Sequence, residues 1–207
     1  MKIIFDQVTI EVENWNDNYG VVFRKIHTKC EDNNQVLNYL EIDCKRDNDN
    51  FVKYFTDYMK SIQEVVVKMQ DNKLTINEIF ISTNEYVLNA KKRLKSLSEE
   101  FYQAPQSETW TDLADFFEGI QWILETVKKI DQIANIDAII TNYEVWNEYV
   151  QNISGLNTIV FDLNHAMQNH DHVLIGDLLQ YEVLPIFENA ELKLRLLMAP
   201  GGNHHAS

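Results

Sequence analysis

The chain of 207 residues is 45% hydrophobic and carries 18 Lys and Arg against 32 Asp and Glu, a formal net charge of -14. The apolar fraction excludes a disordered chain, and the acidic balance argues against nucleic acid and anionic membranes, which attract basic surfaces. No apolar run approaches the roughly 20 residues of a membrane span, and the first residues contain no apolar signal segment. We therefore expect a cytoplasmic globular protein of one or two domains.

Residues 1–73 have the pattern of a small mixed α/β domain. Alternating apolar residues predict a pair of strands around Ile3 to Phe5 and Val8 to Val12, with a turn near Asp6 and Gln7. The elements predicted next are a helix from Asp17 to about Asn33, a strand ending at Cys44, a polar run from Lys45 to Asn50, a helix from Phe51 to about Ser61 and a strand from Glu64 to Met69. This ββαβαβ order predicts a β-grasp-like sheet with an extra helix.

Residues 74–198 predict four long amphipathic helices. Thr75 and Glu78 spell a capping box with Leu74 and Ile79 as a hydrophobic staple, so the first of these helices is expected to begin at Thr75. Pro105 ends it. The other three are expected from Ser107 or Thr109 to about Ile130, from Asp137 to about Met167, and from His172 to about Met198.

The last of the four predicted helices contains Pro185, which predicts a kink because proline lacks the backbone N–H and clashes with the preceding turn. Its apolar stripe is expected at Leu174, Leu178, Tyr181 and Leu184, with Leu179, Val183, Ile186 and Leu194 beside it. Short connections between the four helices predict an antiparallel bundle, followed by a flexible tail at 199–207. The fold class is thus α+β, a β-grasp-like domain followed by a four-helix bundle.

Three histidines cluster around the predicted turn between the last two helices. They are His165, His170 and His172, and Asp162 lies one turn before the first of them. A di-iron bundle would require Glu-x-x-His pairs, and none occurs. We favour turn and capping roles over a metal site, which stays the open alternative. For Cys30 and Cys44 we favour free thiols over a disulfide, because the cytosol is reducing.

Catalytic motifs are missing from the sequence. It contains no phosphate-binding glycine motif, no Gly-x-Ser-x-Gly elbow and no Glu-x-x-His. The paired carboxylates Glu99 with Glu100 and Asp112 with Asp115 are expected on solvated helix faces. We assign no catalytic, cofactor-binding or metal residue and expect a protein that is not an enzyme.

Two surface features offer a partner-binding role. The basic run Lys91, Lys92, Arg93 and Lys95 either forms salt bridges with acidic neighbours or docks an acidic partner. The aromatic side chains are expected mostly in the core, although an exposed Trp122 would indicate an interface. The others in this set are Trp110, Trp146 and Tyr181.

The negative charge is concentrated in one part of the chain. From Glu99 to Glu191 there are 17 acidic residues, and the only basic residues in this stretch are Lys128 and Lys129. The basic run Lys91 to Lys95 precedes it. This concentration predicts a docking surface for a basic partner on the later helices.

Several segments resemble a known family. They are Asp171 to Pro185, Phe101-Tyr102, Ser107 to Trp110, and Phe117 to Trp122. Together they resemble an uncharacterised bacterial family, a domain of unknown function whose members often begin with a small strand-containing unit. The resemblance covers about residues 74–195 well and 1–73 loosely. It implies the helical fold and a bacterial cytoplasmic setting, and it brings no established activity.

Two functions follow from these features. The leading hypothesis is a non-catalytic adaptor or chaperone-like bundle that binds another protein through a basic or helical segment, without cofactor, nucleic acid or membrane; a homo-oligomer stays open. The alternative is a helical-bundle enzyme or ligand-binding protein with a site around Tyr143, Tyr181 and Glu182. An adaptor should expose an apolar groove rimmed by charge, whereas a ligand binder should enclose a pocket with convergent polar groups.

Overall fold

The computed structural model describes residues 1–6, 8–13, 19–47, 51–133 and 135–199. Most of the tail expected at 199–207 lies outside these ranges, as do Gln7 in the first predicted turn and Asp17 at the predicted start of a helix. The fold is α+β, and the chain divides into two units, Met1–Thr75 and Ile76–Ser207.

Among its described residues, the N-terminal unit contains five strands and two helices before the long helix that follows. They are β1 Lys2–Phe5, β2 Val8–Glu11, α1 Tyr19–Asp32, β3 Gln35–Ile42, β4 Lys45–Asp47, α2 Phe51–Tyr58 and β5 Glu64–Asp71. The described strands form one mixed sheet in the order β2-β1-β5-β3-β4, in which β1 and β5 pair in parallel and the other three described pairs are antiparallel.

β4 is a strand that the sequence did not predict. The polar run beginning at Lys45 pairs with β3 through a two-residue turn, Asp43-Cys44, whose residues have φ of 46° and 67°. Left-handed φ at both positions is the geometry of a type I′ hairpin turn. The Asp43 carboxylate accepts the backbone N–H groups of Gln63 and Glu64 at 3.0 and 2.9 Å, which holds the turn against the start of β5. Cys44 therefore lies in the turn, and the prediction that it belongs to the strand was wrong.

The core of the N-terminal unit lies between the sheet and its helices. Val65 and Val67 of the central strand are fully buried, together with Phe55 of α2. The remaining members of this core are Ile3, Phe5, Val12, Val22, Ile26, Cys30, Leu40, Ile42, Met59 and Ile62. Asn34, with φ of 55°, ends α1 in the left-handed conformation that favours Gly or Asn, so the stop predicted at Asn33-Asn34 is confirmed.

The C-terminal unit is built from helices. They are α3 Asn72–Tyr102, which begins in the first unit, α4 Ser107–Asp131, α5 Ile136–Ile139, α6 Tyr143–Ser154, α7 Leu156–Gln168, α8 His172–Asp177 and α9 Leu184–Met198, with a π-helical turn at Leu178–Val183 between the last two. None of the described helices combines the length and apolarity that a membrane span requires.

The start of α3 differs from the prediction. The helix begins at Asn72, and the Asp71 carboxylate accepts the N–H groups of Lys73 and Leu74 at 2.8 and 3.2 Å. Thr75 is inside the helix and donates its hydroxyl to the Asp71 carbonyl at 3.0 Å. The expected cap at Thr75 was wrong because Asp71, the last residue of β5, already satisfies the first N–H groups.

The long third helix expected from Asp137 to Met167 was also wrong. Ile140 has extended backbone, with ψ of 109°, and ends α5, after which α6 begins at Tyr143. A second interruption falls at Gly155, between α6 and α7. A Cβ there would contact the Asn152 carbonyl and Ile186 at 3.3 Å, so this glycine allows a close helix approach.

A π-helical turn lies directly before Pro185, where the sequence predicts a kink. Leu184 donates its N–H to the Leu179 carbonyl, five residues back, just before the proline. This wider turn accommodates the missing N–H and the ring of Pro185. The buried stripe differs from the expected one, because Leu174 and Tyr181 are 41% and 63% exposed. It consists of Ile175, Leu179, Val183, Phe187, Ala190 and Leu194.

Neighbouring helices of the C-terminal unit run antiparallel. Lys91 and Tyr102 of α3 contact Glu191 and Asp177, so the order of contacts along α3 reverses that along α8 and α9. Four further pairs give the same relation for other neighbours: Arg93 with Asp112 and Glu100 with Thr109 between α3 and α4, and Glu148 with Lys193 and Asn152 with Ile186 between α6 and α9. One contiguous apolar core fills the space between them.

Candidate functional site

The surface between α3 and α4 begins with an unusually close contact between the two helices. Tyr86 of α3 lies directly over Gly119 of α4, where an added Cβ would be 1.7 Å from the phenol oxygen. Its ring also meets Trp122 edge to face, with centroids 6.0 Å apart, and Phe187 at 6.4 Å. Burial raises the pKa of Tyr86 to about 12, so the phenol is neutral at physiological pH. Gly119 is required here because only glycine leaves space for the ring.

An open groove of about 350 Å³ follows Tyr86 between the two helices, and we call it the α3–α4 groove. Its lining residues are Tyr86, Asn89, Ala90, Arg93, Leu94, Leu97, Asp112, Asp115 and Phe116. Leucine, alanine and aromatic side chains form the floor, whereas the charged side chains stand at the rims, Arg93 on α3 and Asp112 and Asp115 on α4. The groove is thus apolar at its base and charged at its edge.

Arg93 closes one end of the α3–α4 groove by an ion-pair network. Its guanidinium contacts the Asp112 carboxylate and donates to Glu100 at 3.1 Å, while the other Glu100 oxygen accepts the Thr109 hydroxyl at 2.8 Å. A second, more polar cleft of about 460 Å³ lies beyond it, lined by Arg93, Glu100, Gln103, Ala104, Gln106, Glu108 and Thr109. Asp112 and Glu100 are therefore paired with Arg93 and half-buried, whereas Glu99 and Asp115 are exposed as expected.

The exposed face of α4 beside the groove carries a row that we call the acidic stripe, Asp115, Glu118, Trp122 and Glu125. Their spacing of three, four and three residues places them on one helix face. All four are exposed, and Trp122 is 40% exposed. Among the described residues none of the three carboxylates has a basic partner; Glu125 accepts the Gln121 amide at 2.9 Å. The stripe presents unneutralised negative charge around an exposed indole, as expected of an interface.

The basic run of α3 is divided between two roles. Lys91 donates to Glu191 at 2.6 Å, and this hydrogen bond lowers the pKa of the Glu191 carboxyl against the opposing effect of burial. Arg93 is held by Asp112 and Glu100 as described. Lys92 and Lys95 are exposed and form no ion pair within the described chain. Salt bridges thus account for Lys91 and Arg93.

The three histidines occupy turn, capping and packing positions. His170, with φ of 54°, ends α7 in a Schellman motif, in which Asp171 donates its N–H to the Ala166 carbonyl at 2.9 Å. Asp171 in turn caps α8 by accepting the Leu174 N–H. His172 packs against the Trp110 ring at 5.6 Å.

His165 stacks edge to face on Phe161, with centroids 4.6 Å apart, so its ring faces a different neighbour from that of His172. Asp162 is half-buried one turn earlier. No three His, Cys, Asp or Glu residues among those described lie close enough to hold a metal ion.

Cys30 is buried and Cys44 is exposed, and both are free thiols. Burial, with a smaller contribution from Glu31, raises the pKa of the Cys30 thiol.

The residues of the alternative ligand site do not meet. Tyr143 begins α6 one turn before Trp146, whose indole N–H donates to Asp131 at the C-terminal end of α4. Tyr181 is a neighbour of Tyr102, just before the N-terminal end of α4. α4 has 25 residues, which corresponds to about 37 Å at 1.5 Å per residue. Opposite ends of this helix therefore separate Tyr143 from Tyr181 and Glu182.

Two residues of the candidate surface escaped the sequence analysis. Tyr86 was overlooked because it lies beside the main apolar stripe of α3. Gly119 was overlooked although glycine within a helix costs about 1 kcal/mol relative to alanine and commonly marks a close packing contact. Gly155 and Gly176 follow the same rule; a Cβ on Gly176 would lie 2.7 Å from the Tyr102 ring. Applied to Gly119, the rule would have indicated a bulky neighbour on α3.

These features define an α+β protein whose helical unit presents an open, apolar groove with an acidic margin. The helical unit matches the family described as Domain of unknown function (DUF8042) over residues 78–193, more than half of the chain, and the protein belongs to that family. The resemblance to a domain of unknown function is thereby confirmed. No curated protein and no solved structure was found to match the chain.

Proposed function

We propose that the protein is a non-catalytic interaction module of the bacterial cytoplasm, an adaptor or chaperone-like protein that binds a basic segment of a partner protein. The observation that carries this proposal is the acidic stripe beside the α3–α4 groove. An exposed indole flanked by three unpaired carboxylates suits Lys and Arg side chains, which form ion pairs and cation–π contacts there. The groove floor suits the apolar side of the same segment.

The finer architecture belongs to the same proposal. We assign a β-grasp fold to the N-terminal unit, supported by the strand order β2-β1-β5-β3-β4 and the parallel central pair. We assign an antiparallel four-helix bundle to the C-terminal unit, supported by the antiparallel contacts of α3 with α4, of α3 with α8 and α9, and of α6 with α9. In a bundle of this type, a groove between neighbouring helices is a common place for a partner helix.

The test is a direct binding measurement with a defined probe. A synthetic amphipathic helix with leucine on one face and lysine and arginine on the other is titrated into the full chain, and binding is followed by fluorescence anisotropy. Glu118→Lys combined with Glu125→Lys should weaken binding about tenfold or more, because both carboxylates flank Trp122. Trp122→Ala should weaken it similarly while leaving far-UV circular dichroism unchanged.

A matched control separates this surface from net charge. Glu182→Lys combined with Glu188→Lys makes the same charge change at exposed positions of the last helical region. This pair should leave the affinity within about twofold, since long-range charge is screened beyond roughly 10 Å at 0.1 M salt. Equal weakening by both pairs would show that binding follows net charge alone, and an unchanged affinity in the stripe variants would refute the site.

A further inference from the structure

The strand β2 forms an edge of the N-terminal sheet. It pairs with β1 on one side, and among the described residues no strand lies on its other side. Met1 and Val12 exchange two backbone hydrogen bonds of 3.0 Å, which fixes the alternation of the ladder. Thr9 and Glu11 occupy the non-hydrogen-bonded positions, so their N–H and C=O groups point away from β1. The outer edge therefore offers four main-chain groups for pairing.

A groove of about 340 Å³ runs between this edge and α1, and we call it the β2–α1 groove. Half-buried Ile10 contributes an apolar surface from the strand. The residues contributed by α1 are Arg24, Lys25, Thr28, Lys29 and Asp32. An extended segment lying beside β2 would point alternate side chains into this groove.

The charge of the β2–α1 groove is opposite to that of the protein. Arg24, Lys25 and Lys29 form no ion pair within the described chain, and Asp32 is the one acidic residue in the lining. Residues 1–73 contain 10 of the 18 basic residues of the chain. In a protein with a net charge of -14, this local cluster favours an acidic occupant.

We propose that the β2–α1 groove binds an extended acidic segment of a partner protein, which adds to the sheet as a strand beside β2. Main-chain hydrogen bonds to Thr9 and Glu11 provide the pairing, apolar side chains of the segment cover Ile10, and its carboxylates meet Arg24, Lys25 and Lys29. The residues involved are all different from those of the acidic stripe, so either surface can be disproved without the other.

The experiment uses a short capped peptide, titrated into the full chain and followed by amide NMR. Every second residue of the peptide, the set that faces the groove, is valine or glutamate in turn, and the residues between them are threonine. The largest shifts are expected at Thr9, Glu11 and the α1 residues of the groove. Arg24→Glu, Lys25→Glu and Lys29→Glu together should weaken binding about tenfold or more, and the corresponding Gln substitutions by less. Arg24 and Lys25 are exposed and Lys29 is half-buried, so circular dichroism checks that the helix is retained.

Two control probes distinguish strand pairing from simple anion binding. The same peptide with alternate backbone nitrogens methylated cannot pair with an edge, and it should lose most of its affinity. Heparin, a polyanion without a peptide backbone, should not displace the parent peptide at equal charge. Full binding of the methylated peptide, displacement by heparin, or amide shifts confined to the C-terminal unit would each overturn the proposal. Concentration-dependent dimerisation through β2 that excludes the peptide would also overturn it, in favour of a second copy as the occupant.

Discussion

At the scale of single residues, Gly119 has the clearest steric role in the candidate surface. Its Cα lies against the Tyr86 ring, and a methyl group there would be 2.2 Å from the ring carbon that bears the hydroxyl. We expect Gly119→Ala to destabilise the fold by about 1–3 kcal/mol through overpacking, although alanine is the better helix former. Urea unfolding measures this difference.

Gly20 provides the matched control for Gly119. It also lies in a helix, α1, but a Cβ there would meet nothing within 4 Å. Gly20→Ala should therefore be neutral or stabilise by up to about 1 kcal/mol. If Gly119→Ala were as stabilising as Gly20→Ala, the close approach of Tyr86 to α4 would be wrong.

The sequence predicted some site residues by their spacing and missed others for a physical reason. Trp122 was recognised as informative because an indole is large enough that its exposure implies a partner. The pairing of Arg93 with Asp112 was not predictable, because it depends on the register of α3 against α4. Helical periodicity gives the face on which each residue lies, but it does not give the axial offset between two helices.

At the scale of elements, the start of α3 gives a direct test of the cap. Asp71→Ala should cost about 1 kcal/mol because it removes the acceptor for the Lys73 and Leu74 N–H groups. Thr75→Ala should change stability by less than about 0.5 kcal/mol, since Thr75 is inside the helix. Asp71→Asn keeps an N-cap acceptor and serves as the control. A larger loss for Thr75→Ala than for Asp71→Ala, measured by thermal unfolding, would restore Thr75 as the cap.

The ion pair between α3 and α9 predicts a dependence on pH. The Lys91 hydrogen bond lowers the pKa of Glu191 below its ordinary value of 4.5 in the folded protein. A lowered pKa stabilises the fold above the ordinary value, and this contribution is lost as the pH falls through the lowered pKa. Glu191→Gln should thus cost about 1–3 kcal/mol at pH 7 and progressively less below pH 4.5.

Unfolding curves at several pH values test this assignment. Glu188→Gln, an exposed position on the same helix, is the control and should shift stability by less than about 0.5 kcal/mol at every pH. A cost for Glu191→Gln that stays constant down to pH 3 would contradict the pairing with Lys91.

Element boundaries were predictable where a local signal was strong. Pro105 and the polar residues after it marked the end of α3 and the start of α4 at Ser107. The break of the third helix was missed because its apolar spacing continues through Ile140 and Gly155. One β-branched residue or one glycine costs about 1 kcal/mol or less relative to alanine, and tertiary contacts such as Asn152 with the Ile186 carbonyl contribute energies of the same size.

At the scale of the whole molecule, the two separate hydrophobic cores predict separate stability. Phe55 is fully buried in the N-terminal core, and Leu113 is fully buried in the C-terminal core. Phe55→Ala should cost about 3–5 kcal/mol in the first core. Hydrogen exchange should therefore accelerate in residues 1–75 and stay nearly unchanged in α4 and α9.

Leu113→Ala is the reciprocal experiment and should accelerate exchange in the helical unit alone. An equal acceleration in both units by either substitution would show that the two cores unfold as one cooperative body.

The α+β class was predictable from the order of the elements along the chain, since strands are concentrated before residue 72 and long helices after it. The strand order in the sheet depends on long-range pairing such as β1 with β5, which local patterns do not encode.

The π-helical turn at Leu178–Val183 acts as a phase correction. Ile175, Leu179, Val183 and Phe187 are all buried, although each step of four residues in an ideal α-helix rotates about 40° past a full turn. Three such steps would carry Phe187 about 120° away from the core. The wider hydrogen-bonded turn absorbs this rotation. Deleting one residue from the turn would therefore rotate α9 relative to α8, and the apolar face of one of these two helices would leave the core.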